Sequence, residues 1–387
     1  MFAVTPFAFA HQAFATTITL PKAVLVGVLL GLTTYRGILA WLRRYPASLL
    51  LAALTVLLIA TALTLVDAAS RGPVLRESLK VAEYAGTFVA AYLCYALDRD
   101  DAPLVGAFAA AAIVVAVSAL AQEVSGAPSG LYVGAAVVPR IAGVLEGPNQ
   151  LSGYCEIAFA VLGAWSLQRR RPLIDVALGL IVCASVLTFS RAGWLGIAAV
   201  GAVLAWAGGR RVWPALRPAA VGLGAGLAGA LGWAILAHTP GVLRASLEPS
   251  GYAGGVGNRT ELWSAAWRMW RDHPLLGVGA GNFELDLPLY GLYGVRTHAN
   301  SWYLQSLAEG GLVLFCATLA LLGAVVAALG GANIVQRLRS ASPWVVAALA
   351  ATLALALHQT VDFLFFYPKV GGTWWLLVGA AVAALTP

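Results

Sequence analysis

The stretch HANSWYLQSLAEGGL, residues 298–312, opens a long apolar run with a histidine and holds a glutamate inside it. Read as a helix at about 100° per residue, it puts His298, Trp302, Gln305 and Glu309 on one narrow face. Trp302 apart, that face is polar, whereas the residues that follow to Leu329 are mostly aliphatic or small. Such a stripe at the mouth of an apolar helix has two readings. It packs against polar groups inside a bundle, or it lines a site.

Composition places the helix in a membrane. Of the 387 residues 60% are hydrophobic and 11% charged, where a soluble domain carries about a quarter charged residues. Mean hydropathy is +0.82. Apolar runs long enough to cross a hydrocarbon core of about 30 Å recur from end to end. The chain therefore reads as an all-α, polytopic membrane bundle forming a single transmembrane domain over 1–387. The four cysteines (Cys94, Cys155, Cys183, Cys316) sit inside apolar runs, as small buried hydrophobes do.

Spans are expected near 20–42, 47–66, 79–97, 103–121, 150–167, 172–189, 191–208, 214–237, 299–329, 343–362 and 371–386, with residues 2–18 a further candidate; that makes about eleven or twelve helices. Alternation gathers Arg43-Arg44, Arg99, Arg169-Arg170-Arg171, Arg210-Arg211-Arg217 and Arg337-Arg339 on one side, which the positive-inside rule makes cytoplasmic, the C-terminus with it. The other side holds the stretch 122–149 and a large loop over 238–298 with room for short helices. That side is also basic, with Arg140, Arg191, Arg244, Arg259, Arg296 and Lys369 among its residues. Local pairing with acidic neighbours would account for them; so would an anionic partner such as a lipid phosphate or diphosphate.

Two further places admit polarity. In TFSRAGWLG, residues 188–196, Ser190-Arg191 interrupts two apolar runs that have room only for a tight turn. Arg191 either snorkels to the interface or binds an anion. In GNRTELWSAAWRMWRDHPLLGVGAGNF, residues 257–283, Asn258 and Glu261 have capping-box spacing, and Asp272-His273-Pro274 is a stop. Trp263, Trp267 and Trp270 share a face that suits either the headgroup layer or a contact onto the bundle. Arg259 falls at the start of that helix, where free backbone N–H groups favour phosphate. GVGAGNF follows no strand, so it reads as a flexible glycine turn rather than a nucleotide loop.

Two arginines and a histidine at a lipid interface suit chemistry with a diphosphate leaving group. Guanidinium forks bind phosphate oxygens bidentately and stay charged at any working pH. Metal ligands are scarce on that side, with no Asp-x-Asp pair and no His/Cys cluster, so the expectation is metal-independent chemistry without a cofactor. His298 can accept a proton from an attacking hydroxyl or only orient a group.

SRAGWLG at 190–196, the residues from Arg259 through DHPLLGVGAGNF, and HANSWYLQSLAEGG at 298–311 together resemble the O-antigen ligase (WaaL) family and its Wzy-type relatives; RIAGVLEGPNQLSGY at 140–154 resembles an upstream element of it. The resemblance implies an enzyme of the bacterial inner membrane with a periplasmic site. It implies transfer of O-antigen glycan from undecaprenyl diphosphate to lipid A–core, without metal and with inversion. Membrane lipids, and no nucleic acid, would be its surroundings. It assigns Arg191 and Arg259 to the donor diphosphate and His298 to the acceptor hydroxyl, with Arg140, Asn149 and Asn300 as further substrate contacts. A Wzy-type polymerase, a protein O-oligosaccharyltransferase and a polyisoprenoid-glycan flippase are the alternatives; the flippase needs charges deep along several helices.

Overall fold

The computed structural model describes residues 10–13, 16–34, 37–126, 129–133, 136–236, 259–330 and 338–386. They form the expected polytopic helix bundle, with two short antiparallel hairpins added to it. Strands β1 (Ala10–Ala13) and β2 (Thr16–Thr19) pair first, so the described part of the candidate span 2–18 is hairpin rather than helix. Helices α1 (Leu20–Thr33), α2 (Ile38–Leu42), α3 (Ala47–Leu63), α4 (Arg71–Leu97) and α5 (Asp101–Ser125) follow. Strands β3 (Ser129–Val133) and β4 (Ala136–Arg140) lead into α6 (Pro148–Gln168), α7 (Pro172–Leu187), α8 (Arg191–Gly208) and α9 (Val212–Leu236). After the undescribed stretch come α10 (Arg259–Asp272), α11 (Phe283–Asp286), α12 (Trp302–Leu329), α13 (Pro343–His358) and α14 (Pro368–Leu385). Arg244, Arg337 and the expected cap Asn258 lie outside the described residues.

Among the described residues, Asp101–Ser125, Arg191–Leu236, Trp302–Leu329 and Pro368–Leu385 are long and apolar enough to cross a membrane. Shorter apolar helices such as Ala47–Leu63 and Pro343–His358 accompany them. The expected span 20–42 is broken, since helix ends at Thr33 and resumes at Ile38. Helix α4 begins at Arg71, ahead of the expected span 79–97, so Arg76 rides on a helix rather than a loop.

Helices α6, α13 and α14 are buried on nearly every face and form the centre of the bundle. A helix apolar all round, as α13 and α14 are, has no side to offer water. Because lipid is as apolar as leucine, close backbone approach rather than hydrophobic exclusion joins such helices. The α7–α9 crossing shows this: a Cβ on Gly222 would lie 2.0 Å from the Gly179 carbonyl oxygen.

Helix α12 departs most from expectation. It starts at Trp302, capped by the Ser301 side chain, and Gly311 breaks it with φ 56° and ψ −155°. Residues 274–279 cross the break. Val278 and Gly279 donate their N–H groups to the carbonyls of Ala308 and Glu309, while the Leu312 and Val313 N–H groups donate to Pro274 and Leu275. The carbonyls of Ala308 and Glu309 and the N–H groups of Leu312 and Val313 thus find partners across the crossing, as non-helical backbone at membrane depth requires. A Cβ on Gly277 would lie 2.3 Å from the Glu309 carbonyl carbon, so only glycine fits. The GVGAGNF segment is therefore not the flexible turn its glycines suggest. It is buried at Gly277–Ala280 and stapled on its far side by Thr64, which accepts from the Ala280 N–H, and by Asn282, which bonds both backbone groups of Ser70.

Candidate functional site

The polar stripe of α12 holds loops. Gln305 accepts the Ala299 N–H at 2.6 Å through its carbonyl oxygen and donates to Glu309 Oε1 at 2.7 Å; that same oxygen accepts the Phe283 N–H at 3.2 Å. One side chain fixes the segment that carries His298, and the next fixes the end of the glycine loop. His298 itself is not on the helix face the sequence suggested, because Ser301 starts the helix three residues later.

Asn300 takes φ 50°, a left-handed conformation that Asn adopts more readily than most residues. Its N–H turns back to donate to His298 Nδ1 at 3.2 Å. The other ring nitrogen, Nε2, lies 3.4 Å from the Tyr367 hydroxyl. Phe363, Phe366 and Tyr367 surround the imidazole with ring centroids 5.8, 5.7 and 6.1 Å away. Burial pushes the imidazole below its ordinary value; Asp362 opposes the shift, and Arg259 and Lys80 add to it. Burial likewise raises the Tyr367 phenol, to about 12, so it stays a hydroxyl.

Asp362 joins His298 to the other elements. Its Oδ2 accepts from the Asn149 side-chain amide, and its backbone carbonyl accepts the Trp302 N–H at 2.9 Å. Asn149 in turn accepts from Arg140 Nη2 at 3.0 Å, and Arg140 Nε donates to the Thr188 carbonyl at 2.8 Å. Thr188 closes the turn that starts α8: its Oγ1 accepts the Ser190 N–H at 3.1 Å, and Ser190 caps the helix by accepting from Gly193. Arg191 is the first residue of that helix and is half-buried. Arg140 and Asn149 thus spend these groups on the protein itself, tying β4, α6, α8 and α13 at one end of the bundle.

Arg259 reaches the same end because α10 lies across the start of α12. Leu262, Ala265, Ala266 and Met269 pack on Ala299, Ala308, Val278 and Phe283 in a small second core. Trp267 stays about half exposed at 48% and its ring contacts Trp270. The helix thus seats its small-residue face on the bundle and leaves tryptophan at its flank. Arg259 begins α10, exposed, with its charge felt at His298.

Beneath this layer lies a buried pair. His358 Nδ1 and Glu156 Oε1 are 2.6 Å apart, with both side chains at 1% exposure or less. Gly196 of α8 makes room for that carboxylate, since a Cβ there would stand 2.4 Å from its carbon. Sequence alone gave no role to His358, Asp362, Tyr367 or the aromatic run at 363–367. Their signal was His-x-x-x-Asp closing an apolar run just before that aromatic run and Pro368. Among the described residues no three His, Cys, Asp or Glu side chains converge to hold a metal ion.

Residues 176–319 match the family model Wzy_C, described as O-antigen ligase. The resemblance read from the sequence is borne out over that segment, which is similar to the O-antigen ligase family and supports a membrane enzyme of the O-antigen ligase and polymerase type. The O-antigen ligase segment runs from within α7 into α12 and contains Arg191, Arg259 and His298. Arg140, Asn149 and Asp362 flank it in sequence and close on it in space. A search of curated proteins found no match.

Proposed function

We propose that the chain transfers O-antigen glycan from undecaprenyl diphosphate to a sugar hydroxyl of lipid A–core, at the periplasmic face of the bacterial inner membrane. What supports the reading is that the segment similar to O-antigen ligase contains Arg191, Arg259 and His298, with Arg259 near enough for its charge to lower the proton affinity of the imidazole. In such a transfer negative charge gathers on the departing diphosphate as its bond to the anomeric carbon breaks. Fixed cations aimed at that charge supply the largest share of catalysis. Arg191 and Arg259 hold the diphosphate, and His298, walled by aromatic rings, addresses the acceptor. Arg140, Asn149 and Asp362 fix the geometry, and Asn300 bends the loop that presents the imidazole. Two guanidinium groups answer the leaving group's charge without a metal. The acceptor attacks the face opposite the diphosphate, which inverts the anomeric centre.

Arg191→Ala, Arg259→Ala and His298→Ala should each abolish long-chain lipopolysaccharide while polymerised lipid-linked glycan accumulates. Accumulation of short, unpolymerised donor instead would make the chain a polymerase. Glycosylated protein as the lost product would make it an oligosaccharyltransferase, and loss of donor from the periplasmic leaflet a flippase. Purified chain with donor, acceptor and EDTA tests metal independence; activity destroyed by chelation overturns it.

A further inference from the structure

His298 has one nitrogen committed. The Asn300 N–H donates to Nδ1, which must therefore present a lone pair and carry no proton. In a neutral imidazole the single N–H then sits on Nε2. A half-buried ring whose proton affinity is lowered by desolvation, with Arg259 and Lys80 adding and only Asp362 opposing, is neutral at physiological pH. The nitrogen that faces the aromatic-walled space and the Tyr367 hydroxyl is thus the protonated one. It has no lone pair to offer.

Resting on the proposed transfer, we infer that His298 serves as a hydrogen-bond donor through Nε2–H, orienting an oxygen of the acceptor sugar, and that the acceptor's proton passes to solvent water. The balance closes with water as the proton acceptor. The acceptor oxygen forms its bond to the anomeric carbon as that carbon's bond to the diphosphate oxygen breaks. The electron pair of the broken bond stays on the diphosphate, and the proton released from the acceptor goes to water on the attacking face. As the donor carbon becomes electron-poor the attacking hydroxyl grows acidic, so water suffices as its base. Two features of the loop serve this arrangement and no other. The left-handed Asn300 aims its N–H at Nδ1. The Gln305 carbonyl then locks Ala299, between them, at 2.6 Å. Access of the ring to a proton at Nδ1 would require that loop to open. The Tyr367 hydroxyl, 3.4 Å away, is a long partner that a substrate oxygen can share.

Glutamine places an amide N–H near the position of Nε2 and cannot act as a base, which separates the two roles. With purified chain, undecaprenyl-diphosphate-linked glycan and lipid A–core, His298→Ala is expected to lose about a hundredfold in kcat or more. His298→Gln is expected to recover to within about tenfold of the native chain, where a base role would keep it as inactive as alanine. His298→Asn, too short to reach the Nε2 position, should not recover. A folded His298→Gln as inactive as His298→Ala overturns the inference while leaving the proposed transfer standing. An active His298→Ala overturns any part for His298, whereas a native chain that moves no glycan onto lipid A–core overturns the proposed transfer itself.

Discussion

Glu156 and Glu309 are both carboxylates buried in helices of a membrane bundle, and the protein answers them in opposite ways. Glu309 in α12 meets neutral donors, the Phe283 N–H and the Gln305 amide, each belonging to a segment whose position matters. Glu156 in α6 meets an ionisable partner, His358, 2.6 Å away. Intramembrane acids persist where something specific compensates them. A neutral answer suits a clasp that holds shape; a titratable answer ties two ionisable groups to each other. The clasp lies along the glycine loop, and the pair lies under the Asp362–Asn149–Arg140 chain.

The comparison can be broken most sharply at the clasp's own foundation. Gly311→Leu forces a side chain into a left-handed backbone where a Cβ already stands 2.4 Å from Leu275 backbone atoms, so the 274–283 crossing should not assemble. Transfer activity is expected to fall by about a hundredfold or more, with poor recovery of folded protein, since backbone must move. Gly323→Ala in the same helix, with nothing within 4 Å of its Cβ, should be neutral by the same assay.

The pair comes next. Glu156→Ala leaves a buried histidine without its partner and should destabilise the chain by about 3–5 kcal/mol, read from unfolding in detergent. The clasp should yield less: Glu309→Ala strands two donors at about 1–3 kcal/mol, whereas Glu309→Gln keeps an acceptor oxygen and should lie within about 1 kcal/mol of native. Equal losses for the two alanine variants would erase the distinction.

The smallest expected effect concerns pH. His298 has a lowered folded-state value, so the unfolded chain binds that proton more readily. Its contribution to stability is present above the unfolded value of about 6.5 and is lost as pH falls below it, by at most about 1.4 kcal/mol per pH unit. Between pH 7.5 and 5.5 the native chain should lose more of its melting temperature than His298→Gln does, by about a degree or two.

Much of this architecture was legible in residue order because single helices state their own boundaries. Ser190 before Arg191 and Ser342 before Pro343 cap α8 and α13, and each accepts from the N–H three residues on. The break at Gly311 was not legible, since a glycine pair inside an apolar run is ordinary in membrane helices; only the crossing loop, about thirty residues earlier, makes it a break. His298 was read onto a helix face because Asn300 gives no local sign of its left-handed turn. Arg191, Arg259 and His298 stood out as charges in apolar surroundings. Asp362 and Tyr367 did not, because their importance comes from what the fold sets beside them.

The interlock of Gly277 with Gly311 has a consequence for chain length. Two stretches, Pro274 to Phe283 and Ala299 to Val313, are keyed to each other by backbone bonds at both sides of the break, so adding or deleting one residue in either would shift every rung at once. Chains that preserve this interlock must keep both spacings fixed.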